Sequence, residues 1–185
     1  MKVICYGDSN TWGFDPRAPL GGRYDTVWVD ILAQKLNWNV INQGENGREI
    51  PQSPVFFPSD TGLLIIMLGT NDLLQFWSSE AVCEKMERFL SAVNLEQHRI
   101  LLIAPPPMKL GAWVEHQAII DSSIQLAEQY KTLAERLSIR FIDSGLWNIP
   151  LSFDGVHFTE EGHKTFAEDL CNYLNKGDLL CWKPV

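Results

Sequence analysis

Positive charge is scarce in this sequence of 185 residues, which has 15 lysines and arginines against 23 aspartates and glutamates and a formal net charge of −8. A surface that binds nucleic acid or an anionic membrane needs clustered lysine and arginine, so this balance argues against both partners. Long hydrophobic runs are also missing. Residues 63–68 have the length of a buried strand, far below the roughly 20 residues that span a bilayer.

Neither the N-terminus nor the cysteines resemble those of a secreted protein. Gly7 and Asp8 come too early for the apolar region of a signal peptide to precede them. The four cysteines, at positions 5, 83, 171 and 181, contain no C-x-x-C pair, and their spacing matches neither a zinc site nor a dense disulfide framework. We expect a cytoplasmic protein in which Cys5 and Cys171 are small core residues.

Patterns for cofactors and metals are absent as well. The sequence has no Walker pattern and no G-x-G-x-x-G, and the G-x-S-x-G elbow of the α/β-hydrolases does not occur. Asp154 and His157 could be two ligands of a metal ion, but a third ligand at metal spacing is missing. We therefore expect neither a cofactor nor a metal.

Five runs typical of strands alternate with helical patterns. The strands are predicted at residues 3–6, 40–41, 63–68, 100–104 and 139–142. Helices are predicted over residues 26–36, 80–93, 114–137 and about 160–174, the last with Thr159 as its N-cap. Parallel neighbours need crossover connections, so this alternation implies an α/β fold with a parallel sheet covered on both faces. We expect residues 1–185 to form a single domain, although residues 176–185 show no pattern.

Polar segments follow the predicted strands at the sheet edge where open α/β proteins bind ligands. They are Gly7-Asp8-Ser9, the run from Asn42 to Gly47, Gly69-Thr70-Asn71-Asp72, and, before the last helix, Asp154-Gly155-Val156-His157. Acyl transfer needs a hydroxyl nucleophile, a base, a group that orients the base, and donors for the developing oxyanion. The segments supply one of each: Ser9, His157 and Asp154, with Gly44 and Asn71 as donors.

These segments resemble the sequence blocks of the SGNH hydrolases, also called GDSL-type esterases and lipases, over nearly the whole chain. Gly7-Asp8-Ser9 matches the first block, Asn42-x-Gly44 the second, Gly69-Thr70-Asn71-Asp72 the third and Asp154-x-x-His157 the fifth. This sequence has Asn10 where the family name has leucine. The resemblance implies a flavodoxin-like three-layer α/β/α sandwich, with a five-stranded parallel sheet in the order 2-1-3-4-5.

The resemblance also implies a serine esterase mechanism. Ser9 would be the nucleophile and His157 the general base, while Asp154 would fix the tautomer of the imidazole. The backbone N–H groups of Ser9 and Gly44 and the side-chain amide of Asn71 would bind the oxyanion. Asp8 is expected to hold the turn at Ser9 by accepting backbone hydrogen bonds.

The expected substrate is a small acyl ester. Five residues are expected to line the crevice and bind it: Asn10, Trp12, Phe57, Trp77 and Phe153. Aromatic side chains at such a mouth suit acyl or aryl groups. The opening at residues 7–13 is also similar to that of the bacterial arylesterase/acyltransferase branch, which implies acetyl esters above all, and transfer to alcohols. Members of that branch form oligomers, so both a monomer and a homo-oligomer remain open.

Other functions remain as alternatives. Within the same family these are carbohydrate deacetylation and the hydrolysis of thioesters or lysophospholipids. A flavodoxin-like module could instead bind a phosphate-bearing cofactor at the first strand–loop junction, but Asp8 would repel a phosphate there. An inactive relative retained as a binding protein would not need all five of the predicted active-site residues.

Overall fold

Five parallel strands form the central sheet of the computed structural model, which describes residues 1–176. The strands are β1 (Lys2–Gly7), β4 (Asn39–Gly44), β5 (Leu63–Met67), β6 (Ile100–Ala104) and β7 (Arg140–Asp143), while β2 (Phe14–Asp15) and β3 (Gly22–Arg23) pair separately as a short antiparallel hairpin. The sheet order is β4-β1-β5-β6-β7. Counted within this sheet, that is the predicted order 2-1-3-4-5, and the predicted fold class is confirmed. The hairpin was not predicted.

Helices cover both faces of the sheet. They are α1 (Ser9–Trp12), α2 (Trp28–Leu36), α3 (Thr70–Leu74), α4 (Ser79–Ser91), α5 (Gln117–Leu137) and α6 (Glu160–Lys176). Side chains of α4 and α5 pack in the core on one face, and those of α2 and α6 pack on the other. None of the helices within residues 1–176 is both long and apolar enough to cross a bilayer. Cys181 and the end of the unpatterned tail, residues 177–185, lie outside the described residues.

The strands build the two cores by alternation. In β1, Ile4 and Tyr6 face the α4–α5 core, whereas Val3 and Cys5 face the α2–α6 core. All residues of β5 are buried because helices cover both of its faces. The burial of Cys5 is the core position that the sequence predicted.

Two helices begin later than predicted, for local reasons. Val27 keeps an extended backbone with φ of −115°, and its N–H donates to the Asp30 carboxylate, so α2 begins at Trp28. Helix α5 begins at Gln117 because residues 109–113 form a loop that hydrogen-bonds to the segment before α6. The predicted N-cap of α6 is observed, since the Thr159 hydroxyl accepts the Gly162 N–H at 2.9 Å.

A histidine of α6 lies fully inside the second core. His163 is 0% exposed and contacts the rings of Tyr24 and Phe158, each with a centroid distance of 5.3 Å. Its Nδ1 accepts the Trp28 N–H at 3.4 Å, which requires a neutral ring. Burial lowers the pKa of His163 from 6.5 to about 3, with smaller contributions from the charges of Arg23 and His157. The fold therefore contains a histidine that must lose its charge to be buried.

This burial predicts a specific loss of stability in acid. Below pH 6.5 the unfolded chain binds a proton at His163 that the folded chain excludes until about pH 3, so stability falls as the pH falls through that window. Between pH 7 and pH 5 the loss is about 2 kcal/mol, and we expect His163→Gln to remove it. Urea unfolding at both pH values measures the effect, with His98→Gln, at an exposed histidine, as the control. An equal loss in wild type and His163→Gln would contradict the prediction.

Candidate active site

The first strand places Ser9 at the carboxyl edge of the sheet. β1 ends at Gly7, and Ser9 is the first residue of the short helix α1, where it is 6% exposed. The Asp8 carboxylate caps this turn by accepting the Asn10 N–H at 3.0 Å, which is the role the sequence predicted for it. Burial raises the pKa of Asp8 to about 6, although the Asn10 hydrogen bond and the charge of His157 oppose the shift.

A line of hydrogen bonds joins Ser9 to the loop before α6. Ser9 Oγ lies 2.9 Å from His157 Nε2, and His157 Nδ1 lies 2.7 Å from Asp154 Oδ2. Because an ionised carboxylate only accepts, Nδ1 carries the proton and Nε2 is free to accept from the serine hydroxyl. All three side chains are buried, so little water competes for these bonds. The three predicted catalytic side chains are thus brought together in the arrangement that a serine nucleophile needs.

The Asp154 carboxylate also holds its own loop. Its Oδ1 accepts the N–H groups of Val156, at 2.9 Å, and of His157, at 3.0 Å. Burial alone would raise the pKa of Asp154, but the hydrogen bonds from the His157 ring and from both backbone N–H groups outweigh it and keep the pKa below its ordinary value. Asp154 therefore remains ionised while it orients the imidazole.

A second loop lies against the Asp154 segment. Three backbone hydrogen bonds join them: Lys109 N–H to Gly155 O at 2.9 Å, Ala112 N–H to Phe153 O at 3.0 Å, and Trp113 N–H to Asp154 O at 3.1 Å. Gly155 has φ of +80°, and a Cβ at this position would overlap the carbonyl oxygen of Lys109. The close approach of the two backbones therefore requires glycine there.

Two aromatic rings contact His157, and neither was among the predicted site residues. The Phe14 ring lies 4.7 Å from the imidazole centroid, and the Trp113 ring lies 4.9 Å away at an interplanar angle of 85°. Phe14 lies in β2, within the connection between α1 and α2, and a long connection after a strand at this edge is a weak signal in the sequence. The hydrogen bonds between residues 109–113 and 153–155 place Trp113 beside His157, and no local sequence pattern predicts this contact.

The Asn71 side chain lies beside the loop that follows β4. Its Nδ2 donates to the Arg48 carbonyl oxygen at 3.0 Å, which leaves the second hydrogen of the amide available. The neighbouring Asp72 is buried, forms an ion pair with Lys85 and accepts the Ile50 N–H at 3.0 Å. These contacts fix the loop at residues 48–50 against α3, and with it the position of Asn71.

The Gly44 N–H is not free to bind an oxyanion. It donates to Asn42 Oδ1 at 2.8 Å, and a Cβ at Gly44 would overlap the backbone of Trp12. The role of Gly44 is therefore close packing of β4 against α1, which corrects the predicted role. Gly47 differs from Gly44 in its N–H and in its surroundings. No partner for the Gly47 N–H occurs among residues 1–176, and the space where a Cβ would stand is open. Its φ is +75°. It directly precedes Arg48.

Two of the five predicted substrate-binding residues are not accessible. Phe57 is 3% exposed and packs edge-on against Tyr6 at 5.4 Å, so it belongs to the core and not to the crevice. Asn10 is 4% exposed, and both atoms of its amide are engaged by backbone groups on either side of His157. These two predictions are wrong.

The other three predicted substrate-binding residues reach the surface. Trp77 and Phe153 are 46% and 61% exposed, and Trp12 is half-buried. The Trp77 ring also stacks on Lys85, whose Nζ lies 4.9 Å from the ring centroid. Within the described part of the chain, no group of three or more His, Cys, Asp or Glu side chains could hold a metal ion.

Comparisons with known proteins identify the family and the fold. The model of the GDSL-like lipase/acylhydrolase family matches residues 5–165. The solved structure of the native aryl esterase of M. smegmatis has a TM-score of 0.78 at 25% identity, covering 94% of this chain and 98% of that one. A carbohydrate acetylesterase family member from Sinorhizobium meliloti shares the fold, with a TM-score of 0.80 at 24% identity over 94% and 97% of the two chains. Among curated proteins, no match is found.

The contrast between the two glycines of the β4 loop is testable. We expect Gly44→Ala to lower the free energy of unfolding by more than about 3 kcal/mol, because its Cβ meets backbone, whereas overpacking absorbed by side chains costs about 1–3 kcal/mol. Gly47→Ala should cost only about 1–2 kcal/mol, the penalty for a left-handed alanine. Urea unfolding of both variants measures the difference. Equal losses would mean that the loop does not pack as described.

Proposed function

The chain belongs to the GDSL-like lipase/acylhydrolase family, which makes it a serine ester hydrolase, and we propose that it cleaves small acyl esters, acetyl esters above all. The observation that carries this proposal is the hydrogen-bonded line from Ser9 Oγ to His157 Nε2, at 2.9 Å, and from His157 Nδ1 to Asp154, at 2.7 Å. The proposed reaction passes through a covalent acyl-enzyme.

In the acylation half of the reaction, Ser9 Oγ attacks the carbonyl carbon of the ester while His157 Nε2 takes the hydroxyl proton. The carbonyl oxygen then carries the negative charge of a tetrahedral intermediate. As that intermediate collapses, the bond to the alcohol oxygen breaks and His157 returns the proton to the leaving alcohol. A water molecule, activated by the same imidazole, attacks the acyl-Ser9 ester and releases the acid, which restores the hydroxyl. Asp154 stabilises the imidazolium that forms in both halves.

We assign three donors to the oxyanion. The Ser9 N–H lies at the start of α1, and no partner for it occurs among residues 1–176. The second Nδ2 hydrogen of Asn71 is available because the first is held by the Arg48 carbonyl. The third donor is the Gly47 N–H, in place of Gly44, since Gly47 lies next to that carbonyl and has no competing partner in the described chain. Donors that are already in place need no reorganisation during the reaction.

The surroundings of His157 support a compact substrate. Ser9 and His157 are 6% and 3% exposed, so little of either reacting group is open to solvent. Phe14 and Trp113 contact the imidazole that protonates the leaving oxygen, which places apolar rings on the alcohol side of the scissile bond. An aryl or other apolar alcohol can pack against these rings, while a small acyl group reaches Ser9 most readily.

A cofactor-binding module is less well supported. The Asp8 carboxylate fills the turn after β1, where a flavodoxin-like protein would present N–H groups to a phosphate, and it accepts the Asn10 N–H itself. A cofactor-binding module would not need the hydrogen-bonded line at Ser9.

We expect Ser9→Ala to abolish ester hydrolysis while the fold is kept, because the hydroxyl is the only group that this change removes. Hydrolysis of p-nitrophenyl esters of increasing acyl length measures the activity, and circular dichroism measures the fold. Wild type should be most active on the acetate. Ser91→Ala, at an exposed serine at the end of α4, is the matched control and should retain full activity. Undiminished activity in Ser9→Ala would refute the mechanism, and a maximum at long chains would refute the small-acyl substrate.

Asn71→Ala tests the oxyanion site separately. We expect kcat to fall by about 10²–10³-fold, the usual effect of removing one oxyanion donor, with KM changed far less. The lost hydrogen bond to Arg48 should also cost about 1 kcal/mol of stability, which leaves the protein folded. Steady-state kinetics on p-nitrophenyl acetate checks the split between kcat and KM. A folded Asn71→Ala protein with the wild-type kcat would show that Asn71 is not an oxyanion donor.

A further inference from the structure

The amide of Asn10 connects the nucleophile turn to the loop that carries His157. Asn10 Nδ2 donates to the Val156 carbonyl oxygen at 3.1 Å, and Asn10 Oδ1 accepts the Phe158 N–H at 2.8 Å. The two backbone groups lie on either side of His157. One side chain, next to Ser9 in the chain, therefore holds the base from both sides.

Asn10 is itself fixed at every polar atom. Its backbone N–H donates to Asp8 Oδ1 at 3.0 Å, and its carbonyl oxygen accepts the Trp28 indole N–H at 3.0 Å. With the side chain 4% exposed and both amide atoms bonded, the residue cannot turn toward a ligand without leaving buried groups unpaired. Asn10 is thus built to set a distance between two loops, and it is not available to bind a substrate.

Asn10 and Asp154 hold different parts of the site: Asn10 bonds to the backbone on either side of His157, and Asp154 bonds to the His157 ring. Asp154 belongs to the same loop as His157 and controls the rotation of the imidazole, through the 2.7 Å contact at Nδ1. The hydrogen bonds of its carboxylate lie within residues 154–157, so they do not reach the turn at Ser9. The Asn10 amide makes that connection beside the 2.9 Å contact between Ser9 Oγ and His157 Nε2.

We propose that Asn10 is a positioning residue that holds the backbone around His157 at the separation from Ser9 needed for proton transfer. The proposal rests on the proposed esterase function. It deepens that function by adding a residue that acts on the catalytic step and leaves substrate binding alone. An amide suits the position because it offers a donor and an acceptor from one carbon; leucine offers neither, and an aspartate lacks the donor.

The test compares Asn10→Leu and Asn10→Asp with wild type in the hydrolysis of p-nitrophenyl acetate, with kcat and KM determined separately. A displacement of about 1 Å between reacting groups lowers rates by about 10²-fold, so we expect kcat to fall by about 10–100-fold in Asn10→Leu. KM should stay within about twofold, because no contact with substrate is lost. Asn10→Asp keeps the size of the side chain and the bond to the Phe158 N–H, so it should fold even if the leucine variant does not, and its kcat should fall as well.

Asn94 provides a matched control. Its Oδ1 accepts the Phe57 N–H and its Nδ2 donates to the Phe57 carbonyl, both at 2.8 Å, so it also ties one segment to the backbone of another. It belongs to no part of the active site. Asn94→Leu should lower the melting temperature and leave kcat unchanged, which separates a general loss of stability from a loss of position.

Each outcome has one meaning. A lower kcat with unchanged KM in folded Asn10 variants, beside an unchanged kcat in Asn94→Leu, supports the positioning role. A higher KM with unchanged kcat would show that Asn10 binds substrate, and wild-type values of both would show that it only stabilises the fold; either result overturns the proposal. If wild type itself hydrolyses no ester, the proposed function fails and the positioning role fails with it.

Discussion

The proposed activity depends on one hydrogen bond between residues 148 positions apart, from Ser9 Oγ to His157 Nε2. Neither group has unusual chemistry alone, and a serine hydroxyl becomes a nucleophile only when a base accepts its proton in the correct geometry. The parallel sheet makes the meeting possible because β1 lies inside it, between β4 and β5, so that loops from both neighbours converge on the end of β1. The loop before α6 follows β7, the strand at the far end of the sheet, and reaches the same edge.

Buried carboxylates stabilise the loops at this edge. Asp8, Asp72 and Asp154 are each no more than 1% exposed, and each accepts a backbone N–H from its own or a neighbouring loop. Their surroundings differ. Asp72 is paired with Lys85 and Asp154 is hydrogen-bonded to His157. No direct cationic partner of Asp8 occurs among residues 1–176, and burial raises the pKa of its carboxyl group to about 6. Ordered loops are needed here because an esterase must hold its donors and its base in place before the substrate arrives.

The sequence was sufficient for the features that depend on local pattern. The apolar run of β5 and the Thr159 cap of α6 are readable from adjacent residues, and the order of the strands follows from the family resemblance. Features that depend on distant packing were not readable. Gly44 and Gly47 look alike in the sequence, and only the approach of the Trp12 backbone distinguishes them. Phe57 was expected at the crevice because it is aromatic, yet Asn94 holds the Phe57 backbone and the Phe57 ring packs on Tyr6.

If Ser9 is a nucleophile activated by His157, a reagent that modifies activated serines should label it, and labelling needs no knowledge of the substrate. The protein would be incubated with a fluorophosphonate, and the modified peptide would be identified by mass spectrometry in wild type and in His157→Gln. We expect one label per chain on Ser9, formed at least about 100-fold more slowly in His157→Gln, which lacks the base. A label on another residue, or labelling of Ser9 at the same rate in His157→Gln, would show that His157 does not activate Ser9.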